Sequence, residues 1–258
     1  MSRVVRAVVC LVGLAGTAAL YLAAVLRMPA FGDLTHPLRD AAAAAAGQRQ
    51  TVNIVSAVNY DQRAIDTLVE ETLLLGAVVG AAALLRPDPD ERERTVVRDP
   101  ETLLEVTRLF GYLLLPVTLL LGTSVVLHGA LTPGGGFQGG VVLGTALHLT
   151  YLAGDHRALR RVRPLAVATS GEAAGTAAFV AVGLAGVATG SGFLANVLPV
   201  GTAGALLSAG TVPLLSAAVG VEVASGVVVL LAGFLEQALR SPRPAGSAGS
   251  GPLGESSG

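Results

Sequence analysis

Apolar positions in this chain fall in long unbroken runs, not at the two- or three-to-four-residue spacing of a half-buried strand or a surface helix. Six runs predict membrane-spanning helices, each near the roughly 20 residues needed to cross a bilayer. They are Val4 to Leu26, about Ile65 to Leu85, Leu109 to Leu127, Phe137 to Ala153, Leu165 to Ala188 and about Val212 to Leu235. Charges and helix breakers close them: Arg27-Met28-Pro29 after the first, Arg86-Pro87-Asp88-Pro89 after the second, Asp155-His156-Arg157 after the fourth. The last apolar stretch, Ala203 to Leu235, is too long for one untilted span. Pro213 lacks an amide donor and disrupts a helix interior. The sixth span is therefore placed from Val212, with a buried or partly re-entrant approach before it. The expected class is an all-α integral membrane protein with about six transmembrane helices.

The segments between the runs give the organisation. Residues 1–27 form the first helix, and residues 28–86 an outer loop plus the second helix. Residues 87–108 form a charged cytoplasmic loop, residues 109–236 a four-helix domain, and residues 237–258 a Gly/Ser/Pro-rich tail expected to be disordered. Within the outer loop, the alanines Ala41 to Ala46 predict a short surface helix. The first run has two readings, a retained span and a cleaved signal peptide. Its apolar core of about 20 residues exceeds the 7–15 of a signal h-region, which favours the span.

Composition agrees: 52% of residues are hydrophobic and 14% charged, against about 25% charged in a soluble domain. A net charge of −1 gives no global attraction to nucleic acid. All 17 basic residues are arginines, so no lysine relay is possible. Cys10 is the one cysteine, which excludes an intrachain disulfide and a Cys-rich metal site. With the N-terminus inside, thirteen arginines fall on inner segments and only Arg27, Arg39, Arg49 and Arg63 on outer ones. That bias places both termini in the cytoplasm.

Ionisable groups inside spans are costly and face a bundle interior or water. Asp66 and Glu70 are four apart and share a helix face, about 6 Å apart along the axis. Two such carboxylates cannot both ionise cheaply in a low dielectric, a setting suited to a waiting proton or cation. For Glu70 that reading and a wetted interfacial one stay open. For Asp66, at the edge of the span, and for Glu71, on a different face, the interfacial reading is preferred. Glu172 lies about 10 Å into the fifth span, flanked by Gly171 and Gly175, a spacing that lets another helix come close. Glu222 lies near the middle of the sixth. Glu70 and Glu172 are expected to matter more than Glu71 or Asp66. His148 follows Gly140 and Gly144 at four-residue steps, on a close-packing stripe ending in a titratable ring. Its plain reading is a packing histidine bonded to a backbone carbonyl. No span offers the second histidine or cysteine of a metal site.

The most distinctive local sequence runs His128-Gly-Ala-Leu-Thr-Pro133-Gly134-Gly135-Gly136-Phe137-Gln-Gly139-Gly140. It predicts a tight outer turn between two spans. The glycines allow positive φ, and exposed amides could cradle an anion or a carbonyl. The plainer reading, preferred from the residues alone, is that they let the two helices turn and touch. A phosphate loop is excluded: no Gly-Lys-Ser/Thr is present.

From about Phe110 to Leu235 the chain resembles the B subunit of the multisubunit sodium/proton antiporters of the Mrp or Mnh type. The resemblance rests on His128-Gly, on Pro133 through Gly140, on Leu115-Pro116, on Ser170-Gly-Glu172-Ala-Ala-Gly and on Asn196-Val-Leu-Pro199. A weaker likeness covers Asn53 to Arg86. There Asp61, Arg63, Asp66, Thr67, Leu68 and Glu70 match a segment near the end of the family's large A subunit, also found among small membrane subunits of membrane-bound hydrogenases. Val69 replaces a glycine and Gln62 an aromatic, and Glu222 stands where the family carries an aspartate.

The resemblance implies an accessory membrane subunit of a cation (Na+)/proton antiporter complex, inactive alone. Its alternative is a membrane-arm subunit of a hydrogenase- or quinone-reductase-like redox-driven pump. The implied partners are the other subunits of a hetero-oligomeric complex and the lipid bilayer, with Na+ and H+ as transported ions and no nucleic acid. No catalytic residue, cofactor or metal is implied. The implied location is the cell (plasma) membrane of a prokaryote, with several passes. The chain is thus expected to be a secondary transporter subunit and not an enzyme.

Overall fold

A computed structural model describes residues 3–28, 32, 35–85, 105–152 and 165–240. They form two compact bodies, Met1–Ala41 and Ala42–Gly258. Among the described residues every regular element is helical, and five helices are long and apolar enough to cross a membrane. The charged stretch 86–104, the Asp155–Arg163 region and the tail from 241 lie outside the described residues.

In the first body α1 runs Arg3–Leu26. Helix α2, Pro37–Gln48, begins there and ends in the second. Its opening proline suits a first helical turn, where the missing amide would have no partner. Ala42 and Ala46 are buried, so the alanine run is a covered element and not only a surface one. Helix α3, Ile54–Ala57, is capped by Asn53 and passes into a π-helical turn, Val58–Gln62. Helix α4 follows, Ala64–Leu84.

Helix α5, Glu105–Leu127, carries Pro116 inside it. The end of the charged stretch, 105–108, is therefore its first turn. Helix α6 is Gly136–Leu152, at 17 residues about 25 Å long. Helices α7, Leu165–Ala188, and α8, Val212–Arg240, complete the set. The segment between them has no helix. Residues 201–207 are exposed, while Leu194 and, at the end of the segment, Ser208, Ala209 and Thr211 are buried. The expected re-entrant approach is thus a folded turn region, held by Asn196, which donates to the Ala209 carbonyl at 3.0 Å and accepts from the Thr211 amide at 2.9 Å.

Helix α8 is the centre of the second body, touching α4, α5, α6 and α7. Gly140 and Gly144 of α6 meet Val223 and Val227 in ascending order, so α6 runs parallel to α8. Val78 of α4 and Leu85, which caps its end, meet Gly226 and Gly233, again parallel. Gly171 and Gly175 of α7 meet Ser225 and Glu222, in reverse order. Lipid tails are as apolar as leucine, so such helices associate through close packing and interhelical bonds. The small residues of α6 and α7 meet that requirement. A methyl group at Gly175 would stand 2.6 Å from the Glu222 Cβ, and one at Gly140 2.8 Å from the Val223 Cβ. Phe179, Leu215, Val219 and Val223 fill the core between them.

Candidate functional site

The Gly-rich turn builds one end of the site. Gly134 and Gly135 adopt φ of +136° and +135°, a region that side chains rarely tolerate. The turn lies against the start of α8, where the Ser216 hydroxyl donates to the Val126 carbonyl at 3.0 Å. Gly135 has room beside it, with nothing closer than 3.8 Å to an added methyl. The close approach falls on Gly136, whose methyl would be 2.8 Å from the Val219 Cβ and 2.9 Å from the Gly220 nitrogen. Gly139 is wedged against Val126 and the Gly122 carbonyl of α5. Helices α5 and α6 therefore turn and touch as the plainer reading requires.

Asn53 binds this turn from the other side. Its Nδ2 donates to the Gly129 carbonyl at 2.8 Å and to the Thr132 carbonyl at 2.9 Å. Its backbone amide donates to the Ala130 carbonyl at 3.0 Å. Its Oδ1 accepts from the amides of Val55 and Ser56, capping α3. The 129–132 stretch thus offers three carbonyls to Asn53. Tyr60, on the π-helical turn, is buried beside Gly135. Burial, and then the negative charge of Glu71, push its phenol above the ordinary tyrosine range.

Below Tyr60 three glutamates share the interior. Glu71 and Glu222 are fully buried and Glu172 is 2% exposed. Glu222 stands between the other two, close enough to interact electrostatically with Glu71 across α4 and α8 and with Glu172 across α8 and α7. Both oxygens of Glu71, both of Glu222 and Oε1 of Glu172 are buried without a hydrogen-bond partner among the described residues. Thr176 lies beside Glu222, and its hydroxyl donates to the Glu172 carbonyl at 3.2 Å. Buried charge without a partner is expensive. Such groups take up protons or hold ordered water.

The structure distributes the sequence candidates unevenly. Glu172 and Glu222 meet in the interior. Glu70 is exposed on the outer side of α4, and Asp66, also exposed, pairs with Arg63. Glu71, the neighbour placed at an interface from sequence, is the one that points inward. One residue step turns a helix by about 100°, enough to exchange the two glutamates. His148 Nδ1 lies 2.8 Å from the Gly144 carbonyl, and His128 Nδ1 2.9 Å from the Ser124 carbonyl. Phe137 is partly exposed at the start of α6.

With this geometry in hand the comparisons with known proteins are specific. Residues 106–229 match the domain described as related to the MnhB subunit of Na+/H+ antiporter. The uncharacterized protein MJ1307 of Methanocaldococcus jannaschii is 30% identical over 202 residues, 68% of this chain and 74% of that protein. The fold resembles a chain of the membrane-bound sulfane sulfur reductase (MBS), an archaeal respiratory membrane complex. That match has a TM-score of 0.69 and 27% identity, over 90% of this chain and 98% of the other. It also resembles a chain of the Mrp complex from Dietzia sp. DQ12-45-1b, with a TM-score of 0.64 and 25% identity, over 96% of this chain and 27% of that longer one. The chain is a multi-pass, all-α membrane protein. It belongs to the family that carries the MnhB-related domain.

Proposed function

We propose that this chain is an accessory membrane subunit of a multisubunit Na+/H+ antiporter complex of the Mrp type, in the plasma membrane of a prokaryote, and that it exchanges no ions alone. The observation that carries the reading is the series Glu71–Glu222–Glu172, buried within and beside the MnhB-related domain. Three carboxylates with no cationic partner among the described residues suit the passing of protons between helices, with Glu222 as the middle member. No step in this asks for bond-making chemistry, so the role is that of a transporter component and not an enzyme. The arginine distribution supports cytoplasmic termini, an orientation in which the Gly-rich turn faces the outer side.

A second reading, a membrane subunit of a redox-driven ion pump, has its own support. The match to the respiratory-complex chain spans 98% of that chain, whereas the match to the Mrp chain spans 27%. Purification of the native assembly in mild detergent separates the two. Antiporter-like subunits alone should accompany the chain on the first reading, and subunits bearing redox centres on the second. Within that assembly Glu222→Gln should leave recovery unchanged and abolish ion-coupled proton movement. Full activity of Glu222→Gln would overturn the proton role.

A further inference from the structure

The proton reading requires that α4 present Glu71, and not Glu70, to α8. The packing of α4 alone is a weak guarantee of this. Much of its surface is exposed, and its two glutamates are adjacent. The polar contacts at its outer end are far more specific. Three hydrogen bonds from Asn53 grip the 129–132 stretch: two from Nδ2 and one from its amide. That stretch belongs to the turn seated on α8 through Ser216 and Gly136. On the other side Asn53 caps α3, which is continuous with the π-helical turn. The turn is fixed to α4 by the Thr67 hydroxyl, which donates to the Asn59 carbonyl at 2.8 Å. Glu71 lies one helical turn beyond Thr67. A continuous hydrogen-bonded path therefore runs from the α8-bound turn, through Asn53, to Thr67, one helical turn before Glu71.

We propose that Asn53 is a positioning residue that sets the register of α4 against α8 and so brings Glu71 to Glu222, an inference that rests on the proton role of those glutamates for its functional meaning. A single amide side chain performs two separable tasks here. The oxygen caps α3, which serine and aspartate do equally well. The NH2 group reaches two carbonyls at once, which neither serine nor aspartate can do.

That difference supplies the test. In a Cys10→Ser background, Leu85→Cys with Gly233→Cys introduces a register probe at the far end of α4. A Cβ at position 233 lies 3.5 Å from the Leu85 Cβ, within disulfide geometry. Asn53→Ser and Asn53→Asp are then compared in the assembled complex. Both should keep complex recovery while lowering the rate of 85–233 disulfide formation about fivefold, the scale of one or two lost hydrogen bonds. Aspartate should exceed serine, because it sets a negative charge against two carbonyls. The pH profile of exchange should move in the same variants, since Glu71 would face Tyr60 and Glu70 from its own segment, Glu222 from α8 and Glu172 from α7 in altered geometry. Wild-type disulfide rates in Asn53→Ser would overturn the proposal, as would loss of assembly, because a register role leaves the fold intact. The disulfide reports register whatever the complex transports. The clamp can therefore fail while Glu222→Gln still abolishes proton movement, and the reverse.

Discussion

Helices α5 and α8 are alike in sequence character and opposite in surroundings. Both are long apolar runs that cross a membrane by length and composition. On α5 the buried positions among the described residues are Gly111, Gly122 and Val126, and leucines such as Leu113 and Leu120 are exposed. On α8 the buried positions form a wide band, with Leu214, Val221, Leu231 and Phe234 among the few large side chains left exposed. Hydropathy cannot tell the two apart, because lipid and protein interior are equally apolar. What distinguishes α8 is that its small and polar residues Ser216, Gly220, Glu222 and Gly226 are buried, whereas Thr123 and Ser124 of α5 are exposed.

That contrast can be broken most severely at Gly136. Gly136→Val inserts a branched side chain against the Ser216 carbonyl and Val219, beyond the ~1–3 kcal/mol of ordinary overpacking. We expect no recoverable complex on size-exclusion chromatography, whereas normal recovery would refute the close α6–α8 contact. Next come the interior carboxylates. Glu71→Gln and Glu222→Gln should assemble normally and lose proton-coupled exchange about a hundredfold, the scale of a missing acid–base group. Glu70→Gln, on the outer side of α4, should retain it. Exchange assays in everted vesicles decide, and equal losses at 70 and 71 would erase the distinction between the two faces.

Smaller effects sharpen the same contrast. Gly135→Ala has room but an unfavourable φ, so it should destabilise the subunit by about 1–3 kcal/mol without preventing assembly. A melting temperature equal to wild type would show that the turn relaxes. Least of all, Leu120→Ala on the exposed face of α5 should change stability by no more than about 0.5 kcal/mol. A marked loss of recovery would instead identify that face as a site of subunit contact.

The helices were legible almost to their ends. Apolar runs closed by arginine or proline leave little freedom, and Pro213 marks the start of α8, a first-turn position where its missing amide has no partner to lose. The inward direction of Gly140, Gly144, Gly171 and Gly175 was readable from their four-residue spacing. The choice between Glu70 and Glu71 was not. On a helix apolar all round, hydrophobicity has no preferred side, so nothing local says which of two adjacent glutamates points inward. That decision belongs to Asn53 and the π-helical turn, whose bonds reach residues more than seventy positions away. Tyr60 escaped notice for the same reason, since its place beside the carboxylates depends on a turn geometry that residue types do not announce.

The central position of α8 also bears on how the protein is made. It is the final helix among the described residues, yet it supplies a face to every other long helix of its body. As the ribosome proceeds, Glu71 is synthesised roughly 150 residues before Glu222, a delay of about eight to thirty seconds at ~5–20 residues per second. During that interval the glycine-lined faces of α6 and α7 have no α8 to pack on. Biogenesis of this subunit is therefore back-loaded. Any chaperone or insertase that attends it must shelter a half-built bundle until the last helix arrives, and a nascent chain stalled before Val212 offers quality-control proteases an open target.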